Sequence, residues 1–226
     1  MSKLVVGDGL LGSEIIKQTG WDYVSRKKNN KDCWGLLPII LADKADTIIN
    51  CIANTDTYSN DRDSMVDVNF KFIVELVNEL NLESKKIIHI STDYLYTYSK
   101  EDVTENDVPV HCENWYGYTK LLADGYVQNF SDNYLLCRMT HKPNPFPYDK
   151  AWTNQVGNFD YVNKQVERIV KLINKNVTGI VNVGGEKNTM FELAKKTNKN
   201  VKPIQSTEQI PRNVTMNINK MKELLK

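Results

Sequence analysis

The sequence predicts an α/β protein built on a doubly wound, mainly parallel sheet. Apolar strand-like runs alternate with stretches of helical periodicity through most of the 226 residues, the pattern that puts helices on both faces of a parallel sheet. Near the N-terminus, Lys3-Leu4-Val5-Val6 runs into Gly7-Asp8-Gly9-Leu10-Leu11-Gly12, a strand, a glycine-rich turn and a helix start. Further on, Tyr116 and Lys120 stand four residues apart in a helical stretch, downstream of Ser91-Thr92-Asp93 at a strand end.

The elements follow in order. Residues 4–6 form the first strand, and 10–18 the helix after it, with Leu11, Ile15 and Ile16 inward. Residues 21–24 are a short second strand, and 25–35 read as a polar loop. The apolar run 36–42 suits a short helix with Pro38 in its first turn. Residues 47–53 read as a buried strand. From 62 to 80, Met65, Val68, Asn69, Phe72, Ile73, Leu76 and Leu80 recur at helical spacing. Then come a strand at 86–91, a helix at 114–130 and a strand at 134–137. Residues 141–158, with Pro143, Pro145, Pro147, Phe146, Tyr148 and Trp152, read as a loop. A helix at 161–173, a strand at 179–183, a short helix at 189–197 and an amphipathic turn at 218–225 complete the chain. The organisation expected is a dinucleotide-binding domain over 1–138, rejoined by 159–183, and a small lobe from 139–158 and 184–226.

Composition narrows the function. Lys and Arg number 29 against 28 Asp and Glu, a net charge of +1, without the basic excess of a nucleic-acid binder. No apolar stretch approaches ~20 residues, so no membrane span is expected. The first strand begins within three residues of the start, so no signal peptide is read and a cytoplasmic protein is expected. Cys33, Cys51, Cys112 and Cys137 lack metal-ligand spacing, and no metal site is expected. Cys51 and Cys137 sit in apolar runs as expected buried thiols. A monomer or homodimer is expected.

The three glycines of the turn serve different ends. Gly7 allows a tight turn, Gly9 a close approach of backbone to a pyrophosphate, and Gly12 close packing of helix on strand. The N–H groups of the helix start at Leu10 and Leu11 would face that phosphate; the bland alternative is a turn rich in glycine by chance. After the second strand, Ser25-Arg26-Lys27 stands where an acidic residue would bind a ribose 2′-hydroxyl. A 2′-phosphate fits better, so NADPH is expected, with NADH possible because Asp22 is close. A solvated basic loop is the alternative. Tyr116 and Lys120 share a helix face, and a lysine ammonium favours phenolate in a group that titrates near ~10. Thr92 sits one residue past the strand at 86–91, where its hydroxyl could meet a carbonyl or make only a local turn. Tyr118 lies on another face of the helix. His89, within a strand, reads as a satisfied core residue rather than a base, and His111 and His141 fall in loops.

These residues resemble the extended short-chain dehydrogenases/reductases, and within them the dTDP-4-dehydrorhamnose reductase-like proteins. The glycine turn matches the family's motif. Asn50-Cys51-Ile52-Ala53 resembles its Asn-x-Ala segment, and Val68-Asn69 its Val-Asn pair. Ser91-Thr92-Asp93-Tyr94-Leu95-Tyr96 is similar to its Ser-Thr-Asp-Tyr-Val-Phe, and Tyr116-Gly117-Tyr118-Thr119-Lys120-Leu121 to its Tyr-Gly-x-Thr-Lys-Leu. Leu136-Cys137-Arg138-Met139-Thr140, Gly179-Ile180-Val181-Asn182-Val183 and Pro211-Arg212-Asn213 resemble later family segments. The resemblance implies a Rossmann-type sheet with a small C-terminal substrate lobe, shortened here. It implies catalysis by Thr92, Tyr116 and Lys120, and a cofactor site that adds Ala53, Asn54, Asn69 and Ser91. The substrate would be a nucleotide-linked 4-keto-6-deoxy sugar, reduced with NADPH in deoxysugar synthesis, near Thr92, Asp93 and Tyr94. Lys142, Lys150 and Arg212 are candidates for its diphosphate, and Trp152 for a wall of the site. The family's Trp-Val-Tyr-Gly is replaced here by His141-Lys142-Pro143-Asn144. An epimerase on a sugar nucleotide and a non-catalytic NADP-binding regulatory subunit stay open. A dehydratase is disfavoured because Tyr94 stands where it would carry Glu.

Overall fold

The computed structural model describes residues 1–97, 99–109, 114–207 and 210–226; His111 and Cys112 lie outside the described residues. Six strands form the main sheet: β1 (Lys3–Val6), β2 (Asp22–Val24), β3 (Thr47–Asn50), β4 (Lys86–Ile90), β5 (Tyr134–Met139) and β8 (Gly179–Val183). Their order is β2-β1-β3-β4-β5-β8, and every neighbouring pair is parallel. A parallel sheet is covered on both faces, so its strands are apolar on both. Successive side chains point to opposite sides. Leu4, Val6, Ile48, Ile87 and Leu136 pack beneath α3 (Cys33–Ala42), α5 (Phe72–Leu82) and α6 (Trp115–Phe130). Val5, Ile49, Ile88, Leu135 and Cys137 pack beneath α1 (Leu10–Thr19), α7 (Val162–Asn174) and α9 (Asn219–Leu224). The winding reverses between β1 and β3, and a crevice opens there at the carboxyl ends of the strands.

Residues 25–35 are largely helical rather than loop. Ser25 caps α2 (Arg26–Asn29) by accepting the Lys28 N–H, and Asp32 caps α3 by accepting the Gly35 N–H at 2.7 Å. Both caps are polar residues making short-range bonds, which a periodicity reading of a polar stretch does not register. Because Asp32 starts α3 three residues ahead of the apolar run, Pro38 falls inside the helix, not in its first turn. The long helix at 62–80 is divided into α4 (Arg62–Val66), a π-helical stretch Asp67–Lys71 and α5.

The segment expected as a loop at 141–158 contains β6 (Lys150–Trp152) and β7 (Val156–Gly157). β6 pairs with β10 (Lys202–Ile204), and β7 lies between β11 (Asn213–Val214) and β9 (Asn188–Thr189). These strands are two or three residues long and exist by pairing with segments distant in sequence, so local pattern does not reveal them. Thr189 and Glu192 form a capping box that starts α8 (Met190–Lys195). Phe146, Phe159, Tyr161, Met190, Leu193 and Val214 form a separate small core. The tail, expected in the small lobe, rejoins the large sheet: Ile218 and Met221 pack with Val181 and Val183. Among the described residues no helix is long and apolar enough to cross a membrane.

Candidate active site

A cleft of about 470 Å³ lies at the carboxyl edge of the sheet. Its floor begins at the glycine turn. Gly7 has φ +103, a region that glycine alone enters freely, and its N–H donates to Val24 O at 2.8 Å. Gly12 lies so close that a Cβ there would stand 2.0 Å from Gly7 O. Gly9 caps α1, and a Cβ on it would meet nothing within 4 Å. Gly9, Leu10 and Leu11 line the cleft, which puts at its edge the start of α1, where helix N–H groups have no intrahelical acceptor and suit a phosphate.

The segment after β3 forms one side, with Cys51, Ile52, Ala53, Thr55 and Thr57 on the cleft. It is held by Asn69, whose Oδ1 accepts the Asn54 N–H at 2.7 Å and whose Nδ2 donates to Asn54 O at 3.0 Å and Thr119 Oγ1 at 3.2 Å. Asn54 and Asn69, expected as cofactor contacts, therefore brace the loop against α6 and do not line the cleft. Cys33 and Cys137 are buried; Cys51, expected to be buried, is only partly so, and its thiol is pushed up to about 12 by desolvation.

Thr92 lies two residues past β4 and caps a short 3-10 turn, Asp93–Tyr96. Its Oγ1 accepts the Tyr94 N–H at 3.2 Å and donates to Asp93 Oδ1 at 3.3 Å. Asn114 caps α6 by accepting the Gly117 N–H at 2.7 Å, which sets Tyr116 in the first turn and Lys120 one turn on. The Tyr116 ring stands edge-on to Tyr94, with centroids 6.2 Å apart. Thr92, Tyr116 and Lys120 all line the same cleft, with Ser91, Asp93 and Tyr94 beside them. Lys120 is 1% exposed. Desolvation pulls its pKa down to about 8, opposed by Asp124 and Cys51.

The far wall is polar. Asp93 is buried, which pushes its carboxyl up to about 6 against the pull of Lys142. Lys142 lines the cleft, and its backbone is pinned, N–H to Asp160 O and O to the Val162 N–H. His141 also lines the cleft, and burial holds its ring down to about 4.

Other expected contacts lie elsewhere. The Ser25 hydroxyl is buried and occupied in capping α2, while Arg26 and Lys27 are exposed in that helix just past β2. Trp152 sits in β6 against the small core; Tyr148, from the same segment, reaches the cleft instead. Lys150 and Arg212 are exposed and do not line the cleft. The sequence marks His89 only as a core residue; in the fold its ring Nε2 lies 3.3 Å from Lys120 Nζ.

The doubly wound sheet, the glycine turn and a Thr-Tyr-Lys set on one cleft define the class, the extended short-chain dehydrogenases/reductases. The model of the RmlD substrate binding domain matches residues 1–142, and the chain belongs to that family. A comparison with curated proteins finds no match. Among solved structures, the chain is similar to a dTDP-4-dehydrorhamnose reductase from Clostridium acetobutylicum, with TM-score 0.83 and 21% identity over 99% of this chain and 92% of that one. The dTDP-4-dehydrorhamnose reductase from Bacillus anthracis, solved with NADP, gives TM-score 0.82 and 19% identity over 99% and 93%. UDP-glucuronic acid 4-epimerase from Bacillus cereus, with UDP-glucuronic acid and NAD, gives 0.79 and 20% over 100% and 93%. At these identities the likeness is one of fold.

Proposed function

We propose that this protein is a cytosolic, NADPH-dependent reductase of a nucleotide-linked 4-keto-6-deoxy sugar. The observation that carries the reading is the meeting of Thr92, Tyr116 and Lys120 with the Gly9 turn on one cleft. The family supports it, as does the likeness to a reductase solved with NADP. The open face at Gly9 and the free N–H groups of α1 fit the cofactor's pyrophosphate. When bound, NADPH supplies the hydride. Tyr116 donates the proton to the carbonyl oxygen as it becomes an alkoxide. Lys120 holds its charge on the cleft that Tyr116 also lines, and would hold the ribose of a bound nicotinamide. Thr92 turns its hydroxyl proton from Asp93 to the carbonyl. The small lobe, with Lys142 and Tyr148 on the cleft, holds the sugar nucleotide.

The direct test is incubation with NADPH and a panel of UDP- and dTDP-4-keto-6-deoxy sugars, following loss of reduced-nicotinamide absorbance. Oxidation of NADPH by one member supports the reading. Interconversion of sugar epimers without net oxidation favours an epimerase, and tight NADPH binding without turnover favours a regulatory subunit.

Cofactor choice provides a second test. Arg26 is exposed just past β2, where a 2′-phosphate would lie. NADPH is expected to bind more tightly than NADH, and Arg26→Ala to reduce the difference by about tenfold, the scale of one charge-assisted hydrogen bond. Titration at fixed salt measures both; equal wild-type affinities would contradict the assignment.

A third test is pH. Lys120 is a cation below its pKa of about 8 and neutral above it. The profile of kcat/KM is therefore expected to be level between about 6, where Asp93 titrates, and about 8, and to fall on the alkaline side, because the free enzyme loses the charge that favours phenolate. Lys120→Met should lower the rate and weaken NADPH binding at every pH. A profile that rises through this range would count against the role given to Lys120.

A further inference from the structure

Lys120 is held from behind. Its ammonium has three N–H groups. One donates to Ile90 O at 2.7 Å and a second faces His89 Nε2 at 3.3 Å. The third is left for the cleft that Lys120 lines. His89 is fully buried in β4, and its Nδ1 lies 3.4 Å from Asn50 Nδ2 at the end of β3. Asn50 Oδ1 accepts the Ile52 N–H at 3.3 Å, and Ile52 itself lines the cleft. A polar chain therefore leaves the cleft at Lys120, crosses two strands and returns at Ile52.

The ring has one proton to place. Burial and the Lys120 charge hold His89 well below its usual range, so it stays neutral and donates from one nitrogen only. Opposite an ammonium, Nε2 must accept. The proton then sits on Nδ1, and the Asn50 amide must turn its oxygen from the Ile52 N–H to the ring. Opposite a neutral amine, Nε2–H can donate to the Nζ lone pair. Asn50 then keeps its nitrogen on Nδ1 and its oxygen on Ile52. Among the described residues, Asp124 on the same helix, Cys51 after β3 and His89 on β4 are ionisable groups packed around Lys120, and Tyr116 lines the same cleft.

We propose that His89 is the positioning residue of Lys120 and that its ring tautomer follows the charge on Lys120. The imidazole gains no net proton: Nζ passes a proton to Nε2 across the 3.3 Å contact, the Nδ1 proton is released to solvent as the buried ring transiently opens, and the pair loses one proton in all. The consequence for catalysis rests on the reductase reading above; the coupling itself does not.

The experiment is NMR of the intact protein with ¹⁵N-labelled histidine and ¹³Cε-labelled lysine. The chain has three histidines, so His89 is assigned by elimination with His111→Asn and His141→Asn. His89 is expected to pass from the Nδ1–H to the Nε2–H form with the same midpoint as Lys120 Cε. One tautomer throughout that titration overturns the proposal. In His89→Leu the Lys120 midpoint should fall by about one unit, a tenfold loss of charged fraction above it, because the ammonium loses an acceptor. His89→Gln, which offers Oε1 as a new acceptor, should restore it. An unmoved midpoint in His89→Leu overturns the proposal; if that variant does not fold, the wild-type titration decides. A wild type that shows the shared midpoint but reduces no sugar upholds the coupling and removes the reductase reading.

Discussion

Tyr116→Phe is expected to bind NADPH as the wild type does and to reduce the sugar at least ~10²-fold more slowly. The substitution removes one oxygen and keeps the ring that packs edge-on against Tyr94, so the cleft wall is unchanged. The glycine turn and Lys120 remain, and with them the cofactor contacts. The loss is the proton donor, and general acid–base catalysis contributes typically ~10²–10⁴-fold. Alignment of hydride donor and carbonyl is retained and supplies the residual rate. The control is Tyr118→Phe. Tyr118 stacks on Trp115 with centroids 5.2 Å apart and does not line the cleft, so its rate should stay near that of the wild type. Stopped-flow absorbance at saturating NADPH, with binding measured separately by titration, gives both quantities. Equal turnover by wild type and Tyr116→Phe would remove Tyr116 from the mechanism.

The parts of the fold legible in the sequence are those whose cause is local. Strands buried on both faces are short apolar runs, and the run at 179–183 has the same bounds as β8. Gly7, Gly9 and Gly12 are legible because a strand precedes them and a helix follows; Gly7 and Gly12 carry a steric condition within the protein, while Gly9 faces open space. The meeting of Thr92 with Tyr116 and Lys120 can be expected once their elements are ordered in a parallel sheet, since a strand end and the first turn of the following helix share its carboxyl edge. What is not legible depends on partners far away in sequence. Trp152 and Tyr148 look alike as aromatics in a proline-rich segment; pairing of β6 with β10 turns one to the small core and leaves the other for the cleft. Asn69 has the pattern of a cofactor contact, but its hydrogen bonds go to Asn54 and Thr119, contacts set by a π-helical stretch that shifts the helical register. His89 carries no sign of its neighbour because β4 and α6 meet only in the folded protein.

Gly12→Ala is expected to destabilise the protein and to weaken NADPH binding by at least tenfold. The added Cβ would stand 2.0 Å from Gly7 O and 2.9 Å from Gly7 C. Both are backbone atoms of a residue already fixed by its positive φ and its bond to Val24 O, so no flexible side chain can give way. The helix α1 must move off the turn instead, taking Leu11 and Ile15 out of their packing on Val5 and Ile49. Overpacking of this kind costs typically ~1–3 kcal/mol, occasionally more. At ~2–4 °C per kcal/mol for a chain of this size, Tm should fall by roughly 2–12 °C. The same movement carries the N–H groups at the start of α1 away from the phosphate they would bind. Gly9→Ala separates the two effects. Its Cβ meets no protein atom within 4 Å, and its φ of -66 suits any residue. It disturbs no packing and loses only the N-cap preference for Gly over Ala, about 1 kcal/mol or less, so it should melt no more than about 4 °C below the wild type, yet bind NADPH more weakly because the methyl stands on the cleft surface. Thermal melts and NADPH titrations of both variants decide the matter. A Gly12→Ala protein that melts with the wild type would refute the packing constraint, and a Gly9→Ala protein with undiminished affinity would place the pyrophosphate elsewhere.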